Sequence, residues 1–331
     1  MNKNNSNFKI IGISILFSIV AIALISYVTL GDFSSSAIET PSIETPSIET
    51  PSIETPSIET PVIETSVENI TIDDIIENNF KFHTVEIMGL VDFPFNVHMT
   101  SRDAQNFVND PSVELEDGGY LTFKDKTSEL YQELMSVSNS VVIYPIWTSA
   151  AYSEPGFYTY FREECDESCI TNLTFENPQL EFTSSGMTTQ LLYDLGYQFI
   201  TEVDVDKNPK ILENYDTIIV LHNEYVTKNV FDSISTHPNI VYLFPNALYA
   251  EITVNYDDNT ITLIRGHNYP EYEIKNGFDY EIEEKFHDYE YDQYCLDWEF
   301  IEFENGHALN CYPDGIIYNQ LDILKELKDL L

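Results

Sequence analysis

The hydrophobic pattern changes character three times along the chain. From Ile10 to Leu30 run 21 residues without a charge, IIGISILFSIVAIALISYVTL. At about 1.5 Å per residue they cover about 31 Å, the thickness of a bilayer's hydrocarbon core. From Ile38 to Pro61 the pattern becomes a repeat of five, IETPS, with prolines at Pro41, Pro46, Pro51, Pro56 and Pro61. One apolar side chain per repeat closes no core. Each proline lacks an N–H and drives the Thr before it toward extended backbone. A polyproline-like spacer follows, reaching on the order of 90 Å between Ala37 and Ser66.

Beyond Asn69 short apolar runs alternate with amphipathic ones. SVVIYPIW, QFITEVDV, DTIIVLHN and NIVYLFPN read as strands, and GMTTQLLYDLGY, NPKILENY and YVTKNVFDSISTH as helices between them. Apolar strands separated by helices predict an α/β parallel sheet covered on both faces. EITVNYDDNTITLIRG predicts a hairpin turning at Asp257-Asp258-Asn259, and WEFIEFENGHALNCY a second turning at Asn305-Gly306. HTVEIMGL and YLTF read as earlier strands, SELYQELMSV as an earlier helix and NQLDILKELKDLL as a closing one. The resulting partition is 1–9 cytoplasmic stub, 10–30 transmembrane anchor and 31–68 disordered repeat stalk. It continues with 69–137 as an accessory segment, 138–268 as the α/β core and 269–331 as a C-terminal hairpin and helix.

Charge decides the setting. The chain has 15 Lys and Arg against 56 Asp and Glu, a formal net charge of −41. Such a field repels phosphate backbones and excludes a nucleic-acid partner. Lys3 and Lys9 precede the apolar run and no acidic residue comes before Asp32, so the N-terminus is expected in the cytoplasm and the rest outside the cell membrane. The rival reading is a cleaved signal peptide, whose apolar part is normally about 7–15 residues long. In an exported chain, Cys165, Cys169, Cys295 and Cys311 are expected as disulfides. The simplest pairing is Cys165 with Cys169 and Cys295 with Cys311, with the other two pairings open. Asn69-Ile-Thr and Asn172-Leu-Thr are glycosylation sequons.

In an open α/β sheet, ligands sit beyond the carboxyl ends of the strands. The residues leaving those ends are Thr148, Ser149 and Tyr152, then His222, Glu224 and Tyr225, then Asn246 and Tyr249, with His267 ending the first hairpin. His222 and Glu224 pair a base with a carboxylate and are the catalytic candidates; Asn246 and His267 are ligand-binding candidates. Capping of the following helix is the competing explanation for the same cluster. There is no G-x-S-x-G elbow, no H-E-x-x-H and no glycine-rich phosphate loop. Asp288, Glu290 and Asp292 form an acidic stretch that discourages strand pairing or binds a cation or sugar.

The segments IYPIWTSAAYS, LHNEYVT and FPNALYAEITVNYDDNTITLIRG occur in one order, and together they resemble the amidotransferase-like domain of the N,N-dimethylformamidase large subunit, over about 130 residues. In style the chain also resembles archaeal cell-surface proteins. The resemblance implies a flavodoxin/amidotransferase-like fold, a mononuclear iron held by two tyrosines and a glutamate, and hydrolysis of a small amide. Tyr225 matches the H-x-E-Y tyrosine, Tyr152 is the nearest match for the other, and Glu271 takes the glutamate's place. Phe244-Pro245 stands where the family has Gly-Gly, and Ala250 where it has a second aromatic. The leading expectation is a displayed acidic domain with a structural or interaction role toward other cell-surface proteins, and the alternative is a metal-dependent ectoenzyme hydrolysing a small amide.

Overall fold

Five-residue runs such as SVVIY combine β-branched and aromatic side chains with burial on both faces, and they build the central sheet. The computed structural model describes residues 83–85, 94–99, 119–136, 138–175, 185–279 and 295–331. The expected anchor, the stalk, Asn69 and the Asp288–Asp292 stretch lie outside the described residues. Among those described, no helix is long and apolar enough to cross a membrane.

Three short antiparallel strands come first, β1 (His83–Val85), β2 (Phe95–Met99) and β3 (Gly119–Phe123), followed by α1 (Glu129–Leu134). The core then runs β4 (Ser140–Tyr144), α2 (Ile146–Ala151), α3 (Phe157–Phe161), β5 (Leu173–Thr174), α4 (Gly186–Asp194) and β6 (Gln198–Thr201). It continues through α5 (Glu202–Lys207), β7 (Thr217–Val220), β8 (Tyr225–Val226), α6 (Lys228–Ser235) and β9 (Ile240–Tyr242). A hairpin of β10 (Ala250–Asn255) and β11 (Thr260–Arg265), a second of β12 (Phe300–Phe303) and β13 (Gly306–Leu309), and α7 (Asp322–Asp329) complete it.

The main sheet has the order β12-β13-β9-β7-β4-β6, in which β6, β4, β7, β9 and β13 are parallel and β12 is an antiparallel edge. In chain order these parallel strands lie as 2-1-3-4-5, so the winding reverses between β4 and β7. Successive residues face opposite layers. Val141, Ile143, Ile218 and Val220 pack with Trp147 of α2, Val205 of α5 and Val230 and Ile234 of α6. Val142, Ile219 and Val241 pack with Tyr131 of α1, Leu191 of α4 and Leu324 of α7. The sheet therefore has helices on both faces. A four-stranded sheet, β5-β11-β10-β8, lies on the first layer through Ile252, Ile261 and Leu263.

Three elements differ from the sequence expectation. SVVIYPIW leaves the sheet at Pro145 and becomes α2. QFITEVDV is strand only to Thr201, because Thr201 and Asp204 close a capping box, Thr201 N–H donating to Asp204 Oδ2 at 2.8 Å and Asp204 N–H to Thr201 Oγ1 at 3.2 Å. YVTKNVF begins as β8, which pairs parallel with β10, and Thr227 then caps α6. The second hairpin is also not a separate unit: β13 adds in parallel to β9, so residues 300–309 belong to the same sheet as the core.

Both disulfides follow the simplest pairing. Cys165–Cys169 has a Cα separation of 6.1 Å and Cys295–Cys311 one of 5.4 Å. Continuing the hairpin register from Phe300 opposite Leu309 puts Cys311 opposite Trp298, three residues from Cys295. The chain closes the gap by turning at Leu296–Asp297, with Cys295 at φ 49°. The two bonds suit an extracellular or otherwise oxidising setting. Asn172 is exposed, in the left-handed region at φ 55°, close in sequence to the first disulfide.

Candidate functional site

The crossover after β4 reaches α4 on one face, by way of α2 and α3, and the crossover after β7 runs through α6 on the other, so the carboxyl ends of β4 and β7 flank the reversal of winding at which such sheets bind ligands. Backbone contacts fix what lies there. The Glu224 carbonyl accepts from Tyr249 N–H and Ala250 N–H, both at 2.9 Å, and Leu248 N–H donates to the Asn223 carbonyl at 2.8 Å. Tyr225 N–H donates to the buried Thr148 hydroxyl at 3.2 Å. The segment after β7 is thus clamped between α2 and β10.

Glu224 is fully buried, and five side chains converge on or beside its carboxylate. Tyr152 donates to Oε2 at 2.8 Å. Tyr158 donates to the Tyr152 hydroxyl at 2.8 Å and lies 3.2 Å from Oε1. His222 Nε2 is 3.1 Å from Oε2 and His267 Nε2 is 2.5 Å from Oε1. The Tyr225 hydroxyl is also fully buried, near Tyr158, and makes no hydrogen bond of good geometry.

Aromatic rings hold the two imidazoles. His222 stacks on Phe244 at 5.3 Å and meets the edge of Tyr312 at 5.5 Å; His267 lies 4.7 Å from the Tyr249 ring and 5.5 Å from those of Tyr225 and Phe161. His267 has φ 53° and sits on a return loop closed by His267 N–H to Lys275 carbonyl, 2.9 Å, and Asn268 N–H to Ile274 carbonyl, 2.7 Å. That loop turns His267 inward.

Burial alone pushes the Glu224 carboxyl up, but contact with His222 and His267 outweighs it and holds the group well below the usual carboxylate range. Glu224 is therefore ionised. Burial, reinforced by that negative charge, pushes the Tyr152, Tyr158 and Tyr225 phenols well up, so all three are protonated at neutral pH. A second carboxyl, Glu202 at the end of β6, behaves oppositely. It is fully buried, accepts from Ile146 N–H at 2.8 Å, and burial raises its pKa to about 8.

Of the sequence candidates, the structure brings together Tyr152, His222, Glu224, Tyr225 and His267. Glu271 is exposed on the return loop and is not among the side chains in contact with Glu224, whose carboxylate is the one the phenols meet. Asn246 is buried in the turn after β9, its Oδ1 without a hydrogen-bond partner among the described residues, and none of the Glu224 contacts involves it. Tyr158 was not singled out from the sequence. Its only signal is the aromatic density of GFYTYF, one short loop after the end of α2.

Tyr158 and His267 also line an open groove of about 920 Å³, shared with Phe161, the residues around Cys165 and the 267–272 loop. Among the described residues no group of three or more His, Cys, Asp and Glu side chains is placed to hold a metal ion, so any metal here depends on phenol oxygens. No protein-family model matches the chain, and a search of curated proteins finds no match.

Proposed function

We propose that the chain is a cell-surface ectoenzyme, anchored by residues 10–30 and displayed on the IETPS stalk, that hydrolyses a small amide at the Glu224 centre with the help of a metal ion. The observation that carries this reading is the buried, ionised Glu224 set among three phenols at the winding reversal. Burying a carboxylate costs several kcal/mol unless it is compensated, and here two imidazoles and two phenols gather around it at a strand end where such sheets bind ligands. The 2-1-3-4-5 order and the two-faced sheet support a flavodoxin/amidotransferase-like scaffold, as does the resemblance to the dimethylformamidase large subunit.

The donor set fits a hard cation. Oxygens of Tyr152, Tyr158 and Glu224 lie 2.8–3.2 Å apart. These are hydrogen-bond distances, and an all-oxygen set is the kind a hard cation takes. Tyr225 adds a buried hydroxyl lacking a good hydrogen bond. Tyr152, Tyr225 and Glu224 would hold the ion, which would have to displace the protons that burial otherwise keeps on the two phenols, and phenolate oxygens favour iron in its ferric state. Bound there, it would supply Lewis acidity toward an amide carbonyl and an attacking water. The chain's own residues do the rest. Glu224 orients the phenols, His222 is fixed by stacking against Phe244, and His267, a quarter exposed, joins the carboxylate to the groove and can carry a proton between them.

The test is release of amine from a series of simple formamides and acetamides by the full-length protein in detergent, before and after removal of metal by a chelator. Turnover that disappears with chelation and returns with iron supports the proposal. Absence of turnover in metal-loaded protein would return the domain to a structural or interaction role at the surface.

A further inference from the structure

The groove beside Glu224 has a composition that selects a ligand. Beyond Tyr158 and His267, its walls carry Tyr160, Tyr269 and Tyr272 as aromatic faces and Glu163, Glu164 and Asp166 as charges, with no Lys or Arg among the lining residues. Tyr160 and Tyr269 meet edge to face at 6.1 Å. Tyr272 is 73% exposed, matched among the large apolar side chains of the described residues only by Leu296 at 72%. Glu164 is shared with Arg162 at 3.0 Å, whereas neither Glu163 nor Asp166 has a basic group within ion-pair distance among the described residues. The protein places one ammonium on this wall itself: Lys275 Nζ lies 4.6 Å from the Tyr272 ring centre and donates to Asn268 Oδ1 at 2.8 Å.

We propose that this groove binds an organic ammonium group, and that the substrate is a small amide whose far end carries a primary or quaternary ammonium. The inference rests on Glu224 as the reacting centre. Ring faces attract a cation through their quadrupole, and the attraction grows as the cation is desolvated. Carboxylates at the rim add a Coulomb term, and the net charge of −41 concentrates cations at the mouth. A neutral ligand of the same shape gains none of these. Because Tyr158 and His267 touch both the groove and Glu224, an ammonium seated among the rings leaves the rest of the molecule directed at the carboxylate.

The experiment titrates the full-length protein in non-ionic detergent, at an ionic strength of about 0.15 M, with choline and with its neutral isostere 3,3-dimethylbutan-1-ol, read by calorimetry and tyrosine fluorescence. Choline is expected to bind at least tenfold more tightly than the alcohol. Tyr269→Ala should weaken it about tenfold and the exposed Glu163→Gln about threefold, while Asp329→Asn, on α7, changes nothing. Equal affinity for the two probes, or equal weakening by Glu163→Gln and Asp329→Asn, would overturn the proposal. Tyr225→Phe separates it from the hydrolase reading: choline affinity retained in a variant without turnover leaves the groove assignment standing. Turnover of neutral amides with no gain for ammonium-bearing ones removes this inference and leaves the hydrolase.

Discussion

Glu224 and Glu202 stand at the ends of neighbouring parallel strands, separated only by β4, yet their environments drive them apart. Imidazoles and phenols keep the first ionised; the second faces a backbone N–H and a buried amide, and is neutral at pH 7. The sign for Glu202 follows from its pKa, raised from 4.5 to about 8. Its stability contribution is fully present below about pH 4.5 and is lost as pH rises through about 8. Glu202→Gln should therefore match the native protein near pH 5 and exceed it by up to a few kcal/mol at pH 9, measured by denaturant titration. Parallel curves across that range would mean Glu202 has water access. His222, Glu224 and Tyr225 were legible in the sequence, because the strand DTIIVLHN can only end where its polar residues begin. Tyr158 and Glu202 were not. One reaches Glu224 from a loop with no periodicity, and the other lay inside what read as continuous strand.

Elements were set by local chemistry the hydrophobic pattern does not show. Apolar alternation marked QFITEVDV as strand, but a Thr–Asp capping box starts a helix at Glu202. The same blindness hid the role of β13, since a hairpin's sequence does not say which strand it will join. Gly306 decides that. A Cβ there would fall on the Ile240 carbonyl oxygen, and Asn305 closes the junction through its side-chain amide to the Ser235 and His237 carbonyls, 3.0 and 2.8 Å. Gly306→Ala should cost on the order of 3 kcal/mol, seen as a lowered melting temperature. An unchanged melting temperature would show that β9 and β13 are not paired as described. The Cys295–Cys311 bond spans 16 positions. Replacing both cysteines by Ser should cost about 3 kcal/mol by the loop-entropy argument, whereas a loss below about 0.5 kcal/mol would place the constraint elsewhere.

For the whole molecule, charge dominates. With 56 acidic against 15 basic side chains, self-repulsion opposes the compact state and is screened by salt. Stability should rise steadily as salt is raised from about 0.01 to 1 M, and a flat response would mean the carboxylates are already compensated. The two-faced parallel sheet was legible from the alternation of runs. The identity of the glutamate at the centre was not, because only the fold places residue 224 rather than residue 271 between the tyrosines. Elemental analysis of the purified full-length protein, with its visible spectrum, tests the central claim most directly. The account predicts about one iron per chain and a tyrosinate-to-iron absorption band, both lost in Tyr225→Phe while the melting temperature is unchanged or higher, since the hydroxyl removed has no good hydrogen bond. Metal-free native protein after loading with ferric iron, or unchanged iron and absorption in Tyr225→Phe, would contradict it.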